Sequence, residues 1–156
     1  MDLQKTQSSM NVVTSTHQTE STVLMKPIGK VWEAVRTLQF EKWLPSIVKG
    51  VKWNSGSCNE VGSEFELTYA DKSVWTFRIT EISENKRRFS YDLIMAEPSV
   101  TFSTMQNTWT LHKVTSDNST FIQWSSDFSN DVDSHIIQDN KYKKLDCFTE
   151  LKKHFA

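Results

Sequence analysis

The chain has 156 residues, and its 18 Lys plus Arg against 19 Asp plus Glu leave a formal charge of −1. That length is enough for one domain with a sizeable core. With no basic stripe to neutralise phosphates, a nucleic-acid partner is not expected. No apolar run approaches the ~20 residues of a membrane span, so integral membrane association is not expected either.

Six Trp and nine Phe predict a strongly aromatic interior. Residues 1–11 are polar, lack the apolar stretch of a targeting segment, and are expected to form a disordered tail. The domain is expected over residues 12–156. Residues 12–24, rich in Thr, Val and Ser, suit a solvent-facing strand. Pro27 then pre-sets φ for a helix start, and Ile28, Val31, Trp32, Val35 and Leu38 recur at helical spacing. Phe40, Trp43 and Leu44 extend the apolar surface over a second short helix that Pro45 stops.

Strand signals follow in quick succession. Residues 47–53 alternate apolar and polar before the turn at Asn54-Ser55-Gly56-Ser57. Residues 64–69 and 74–82 form a hairpin about Ala70-Asp71-Lys72, with Trp75, Phe77 and Ile79 on one face. Phe89, Tyr91, Leu93 and Met95 line one face of the next strand, and residues 102–114 and 120–128 read as the last two. Strands joined by short turns favour an antiparallel meander. A final helix starts at an N-cap of Asp133 or Ser134 and runs to the end. Ile137, Leu145, Phe148, Leu151 and Phe155 form its apolar stripe, while Lys141, Lys143, Lys144, Lys152 and Lys153 fall towards water. Its basic face matches a calmodulin-target pattern, but a core-facing helix with a solvated lysine face is the expectation.

Candidate chemistry is sparse. Cys58 and Cys147 stand apart, without His or Cys at metal-ligand spacing, and read as reduced thiols of a cytoplasmic protein; no metal and no cofactor are expected. Lys86-Arg87-Arg88 reads as a solvated turn with charged strand edges. Asn118-Ser119-Thr120 matches a glycosylation sequon but is read as a turn. His17, His112, His135 and His154 are scattered; His112 is expected to face solvent, and His135 to be an exposed first-turn residue. Asp92 and Asp127 are expected to point to water. No catalytic residue is assigned, and there is no phosphate loop or nucleophile elbow.

The order of elements, together with V-W-E-A-V-R at 31–36, F-E-K-W-L-P at 40–45, V-G-S at 61–63, R-R-F-S-Y at 87–91 and F-I-Q-W-S-S-D-F at 121–128, resembles the START-like superfamily. That superfamily includes the Bet v 1 allergens and the polyketide cyclase/dehydrase families, and the likeness extends to the lachrymatory-factor synthases and abscisic-acid receptors. It covers about residues 12–156. It implies an α+β helix-grip fold: a curved antiparallel β-sheet wrapped around a long C-terminal helix, with two short helices after the first strand and an apolar cavity between sheet and helix. Function is not implied by fold alone.

Strand alternation then places Trp75, Phe77, Tyr91, Leu93, Met105, Asn107, Trp109, Trp124, Ser126 and Phe128 towards that cavity, with Lys141, Leu145 and Phe148 from the helix. The Arg and Glu on which lachrymatory-factor synthases rely fall at Glu64 and Phe77, so that proton transfer is not inherited. The Lys with which abscisic-acid receptors hold a carboxylate falls at Leu44, and the turn Tyr69-Ala70-Asp71-Lys72 stands where one of their gates would be. The expected function is binding of a small hydrophobic molecule (a lipid, sterol or polyketide-like aromatic) as carrier or sensor. The alternative is a cyclase or dehydratase in which Tyr91, Asn107, Ser126 or Lys141 steers protons. A protein partner has no motif to support it.

Overall fold

The computed structural model describes residues 15–156, in which seven strands form one antiparallel sheet ordered β1-β7-β6-β5-β4-β3-β2. These are β1 His17–Leu24, β2 Val48–Ser55, β3 Glu64–Tyr69, β4 Val74–Ser83, β5 Arg88–Glu97, β6 Met105–Val114 and β7 Ser119–Phe128. Strands β2 to β7 form the expected meander, and β1 closes onto β7 from His17↔Asp127 to Leu24↔Thr120. The expectation of a tail over residues 1–11 lies outside the described residues.

Two short helices, α1 Ile28–Val35 and α2 Phe40–Trp43, connect the two edge strands. Pro27 is the capping residue of α1, with φ −61 and ψ 148. Val31, Trp32 and Val35 bury one face of that helix. The Trp32 indole N–H donates to Glu84 at 2.5 Å, and Arg36 pairs with the same carboxylate at 2.8 Å, which ties α1 to the β4–β5 turn. That turn is less solvated than its charge suggests: Arg88 pairs with Glu81 at 3.0 Å and Arg87 lies 6.0 Å over the Trp32 ring. Leu44 leaves helical geometry (φ −128, ψ 54) directly before Pro45, as the clash with the proline ring requires. Gly62, at φ 92, turns the chain into β3; its N–H reaches Ile79 O, and Ser63 O accepts from Ile79 N, so the V-G-S motif extends the β3–β4 ladder.

The long helix α3, Ser134–His154, is capped by Asp133, whose side chain accepts from the His135 N–H at 2.8 Å. It packs along β1 and lies in the grip of the sheet. Between sheet and helices the rings pack on one another: Phe40 lies 4.6 Å from Trp43, Trp43 stands edge-on to Trp109 at 5.8 Å, and Phe89 stacks on Trp109 at 5.8 Å. Such offset and edge-on pairs contribute beyond their buried area.

Two expectations about strands are corrected. Met95 is 63% exposed, and Ala96 is turned inwards. The pairing jumps from Thr76↔Met95 to Phe77↔Leu93; the unpaired Ile94 is a bulge, and one extra residue reverses which face follows. Strand β6 begins at Met105 rather than at 102, because Phe102 leaves the ladder to meet Phe128 edge-on at 5.2 Å. His112 and Asp127 are exposed, and Asp127 pairs with His17 at 2.6 Å. Asp92, expected in water, is half-buried, with Oδ1 out of solvent and without a partner.

Candidate functional site

Where α2 packs, the interior is filled by rings. Where the first half of α3 crosses the sheet, it is not: a cavity of about 290 Å³ remains between β3–β7 and the helix. Its sheet wall carries Trp75 and Phe77 from β4, Tyr91 from β5, Met105 and Asn107 from β6, and Trp124 from β7. All six were expected there from strand alternation. They share the wall because Trp75 and Phe77 lie before and after the bulge, and because Tyr91↔Asn107 and Asn107↔Ser126 are paired in register.

Around the rest of the cavity stand Ser46 and Ile47 just before β2, the β3–β4 turn and α3. Asp71 caps that turn by accepting from the Ser73 hydroxyl and the Ser73 N–H, which hold its carboxyl below the usual range. Lys143 extends over the Trp75 ring at 6.0 Å.

The helix side departs from expectation. Lys141 and Leu145 are exposed, and Lys144 is buried, with 0% of its surface reached by solvent. The inward residues of α3 are Lys144, Cys147, Phe148 and Leu151. Counting back from Phe148, positions 144 and 145 both satisfy helical spacing, and hydrophobicity alone chooses the leucine. Cys147 breaks the tie: a position three before it and four before Phe148 is Lys144, whereas Leu145 is only two before Cys147 and points away.

A polar network surrounds this amine. Lys144 Nζ donates to Gln18 Oε1, to Asn140 Oδ1 and, at 2.8 Å, to Ser126 Oγ. Ser126 Oγ in turn donates to Asn107 Oδ1 at 2.7 Å, and the Trp124 indole N–H reaches the same oxygen at 3.1 Å. Burial pulls the Lys144 ammonium down to about 7, against the pull of Glu20, which is itself held by Gln18 Nε2 at 2.7 Å. Burial likewise pushes the Cys147 thiol up to about 12 and raises the Tyr91 phenol. Among the described residues no group of three His, Cys, Asp or Glu side chains is placed to hold a metal.

The remaining expected residues stand behind the wall. Trp109 is fully buried, stacked on Trp124 at 4.4 Å, and its indole donates to the Tyr91 hydroxyl at 3.0 Å. Ser126 touches the cavity wall only through Asn107 and Lys144. Phe148 packs edge-on to Trp124 at 6.4 Å within the core. Phe128 belongs with Phe102, Met105 and Val132 in a smaller cluster, against which Leu93 also packs. Among the residues missed from the sequence are Tyr69 and Cys147 of the lining and Gln18, Asn140 and Lys144, polar side chains whose inward direction follows only from the register of β1 and the rotation of α3.

The arrangement can enclose a small apolar body between rings and offer it a few convergent polar groups at one end, the usual composition of a small-molecule site. No helix of the described residues is long and apolar enough to cross a membrane.

Comparison with solved structures places the fold among known proteins. A protein from Nitrosospira multiformis superposes with a TM-score of 0.80 at 22% identity, over 90% of this chain and 96% of that one. The ginseng major latex-like protein 151 of Panax ginseng superposes at 0.74 and 14% identity, over 90% and 97%. Ara h 8.0201 does so at 0.72 and 16%, over 89% and 96%. No curated protein matches the sequence. Residues 15–139 match the family described as "Polyketide cyclase / dehydrase and lipid transport". The chain therefore belongs to that family, within the START-like, Bet v 1-like helix-grip superfamily.

Proposed function

We propose that a single domain spanning residues 12–156 binds a small hydrophobic molecule (a lipid, sterol or polyketide-like aromatic) between sheet and α3, acting as a carrier or sensor in the cytoplasm. The observation that carries this reading is the cavity of about 290 Å³ walled by Trp75, Phe77, Tyr91 and Trp124 in an interior otherwise filled by rings. The family points the same way, and free Cys58 and Cys147 suit a reducing compartment. The driving force is removal of apolar surface from water: burying about 300 Å² on the ligand gives about 7 kcal/mol before the entropic costs of association, enough for micromolar affinity at best. A thermal-shift and calorimetric panel of fatty alcohols, sterols and aromatic ketones tests it. Saturable stabilisation with a negative heat-capacity change supports the reading, and a panel that leaves the melting temperature unmoved overturns it.

One observation favours a second reading, a cyclase or dehydratase using the same cavity. Lys144 sits at its wall with an amine brought down to about 7, the range in which a general base works at neutral pH. Conversion of a polyketide-like substrate that disappears in Lys144→Met supports this reading. Turnover that survives the substitution removes it.

A further inference from the structure

The hydrogen bonds around the cavity are out of balance, and the imbalance selects a ligand chemistry. The Trp124 indole can only donate, so the Asn107 atom it meets at 3.1 Å is the carbonyl oxygen, and Ser126 occupies the same oxygen at 2.7 Å. Asn107 Nδ2 is left without a protein acceptor among the described residues, on a side chain that lines the cavity. The Tyr91 hydroxyl accepts from the Trp109 indole at 3.0 Å, so its own proton also lacks an acceptor there. The acceptors of the network, on Gln18, Asn140, Ser126 and Asn107, are already taken. Lys144 is surrounded by neutral amide and hydroxyl oxygens, with no carboxylate at ion-pair distance among the described residues. Buried polar groups need partners, and a buried ammonium gains most from an anion.

We infer that the cavity takes an apolar molecule bearing an anionic oxygen, a carboxylate above all, which accepts from the Tyr91 hydroxyl and Asn107 Nδ2 while Lys144 supplies the opposing charge. The inference rests on the binding reading above and names the chemical class of its ligand. The titratable groups whose charges act on Lys144 are Glu20 on β1, Asp127 on β7 and Cys147 on α3; Asp127 is itself paired with His17, and Tyr91 and Lys143 line the same cavity. With the free amine centred at about 7, an anion binds best to the protonated form. Binding takes up a proton above neutrality, and affinity falls as pH rises from about 7 towards about 9.

The test is calorimetric titration of the full chain with decanoate, 1-decanol and decylamine at pH 6.5, and with decanoate and 1-decanol at pH 9. The expected result is decanoate binding roughly tenfold or more tighter than 1-decanol, with decylamine weakest. The decanoate preference is expected to vanish at pH 9 and in Lys144→Met, and to persist in Lys152→Met and His17→Gln. Equal affinities for decanoate and 1-decanol in the unmodified chain overturn the inference and leave the apolar site standing. A preference that persists at pH 9 or in Lys144→Met overturns it as well. Failure of all three probes to bind overturns both this inference and the reading on which it rests.

Discussion

The two halves of the interior are built from the same kind of residue and behave differently. Under α1 and α2, Trp32, Phe40, Trp43, Phe65, Phe89 and Trp109 close on one another and leave little room. Under the first half of α3, Trp75, Phe77, Tyr91 and Trp124 stand around an open volume. The difference lies in what each ring faces. On the filled side the opposing surface is the apolar face of α1 and the rings of α2. On the open side it is Asn140 and Lys144, polar side chains bonded to each other, with the Lys144 amine also bonded to β1 and β7 and lying 5.4 Å from the Trp124 ring centroid. An aromatic interior becomes a core or a site according to whether the helix across from it offers something to pack against.

Substitutions on the two sides should therefore have different consequences. The largest effect is expected at Trp109→Ala, which removes the ring shared by Trp43, Phe89 and Trp124 and should cost about 3–5 kcal/mol in urea unfolding. A cost near that of a surface change would mean that the filled half is not close-packed.

A smaller effect concerns Lys144 and has a defined sign. Its folded pKa lies near 7, below the unfolded value of 10.5, so between these values the unfolded chain binds more protons and stability rises with pH. The contribution is complete above the unfolded value and is lost as pH falls through about 7. Relative to Lys144→Met, the unmodified protein should gain roughly 1 kcal/mol per pH unit, about 2–3 kcal/mol from pH 7 to pH 9. Parallel stability curves for the two proteins would show that Lys144 titrates as it does in water.

The smallest effects belong to the rim of the cavity and to the cap of α3. Trp75→Ala, at the half-buried mouth of the cavity, should cost about 1–2 kcal/mol, well below Trp109→Ala. Asp133→Ala, which removes the cap on α3, should cost about 1 kcal/mol. If Trp75→Ala destabilises as much as Trp109→Ala, the distinction between the two halves fails.

Much of the fold and of the sheet side of the site was legible in the sequence, while the division of the interior into a filled and an open half was not, and the limits are physical. Strand β3 carries a clean alternation between a glycine turn and a short hairpin, and it forms over the residues expected, Glu64–Tyr69. Local chemistry also placed Pro27 and Pro45 at helix boundaries, and of the two N-cap candidates, Asp133 and Ser134, it is Asp133 that caps α3. On the sheet side of the site, alternation brought Trp75, Phe77, Tyr91, Met105, Asn107 and Trp124 to one cavity wall. It failed at Met95, where a bulge set by pairing with β4 reverses the face, and no local pattern announces such a shift.

The helix side was the harder half. Hydrophobicity chooses Leu145 for the inner face, but burial of Lys144 depends on three acceptors, two of them on strands far away in the chain. A buried charge is a tertiary property, and periodicity reads it as a solvent face.

The central claim is that a small apolar molecule occupies the volume between the sheet and α3. Indole N–H resonances of the six tryptophans, followed by ¹H–¹⁵N NMR during titration with 1-decanol, test it most directly. Trp75 and Trp124 line the cavity, Trp109 stacks on Trp124, Trp32 lies elsewhere in the core, and Trp53 packs against that core from a half-buried position. Saturable shifts at Trp75 and Trp124, weaker ones at Trp109 and none at Trp32 or Trp53 are predicted. Shifts confined to Trp32 and Trp53, or no shift at saturating 1-decanol, would contradict the claim.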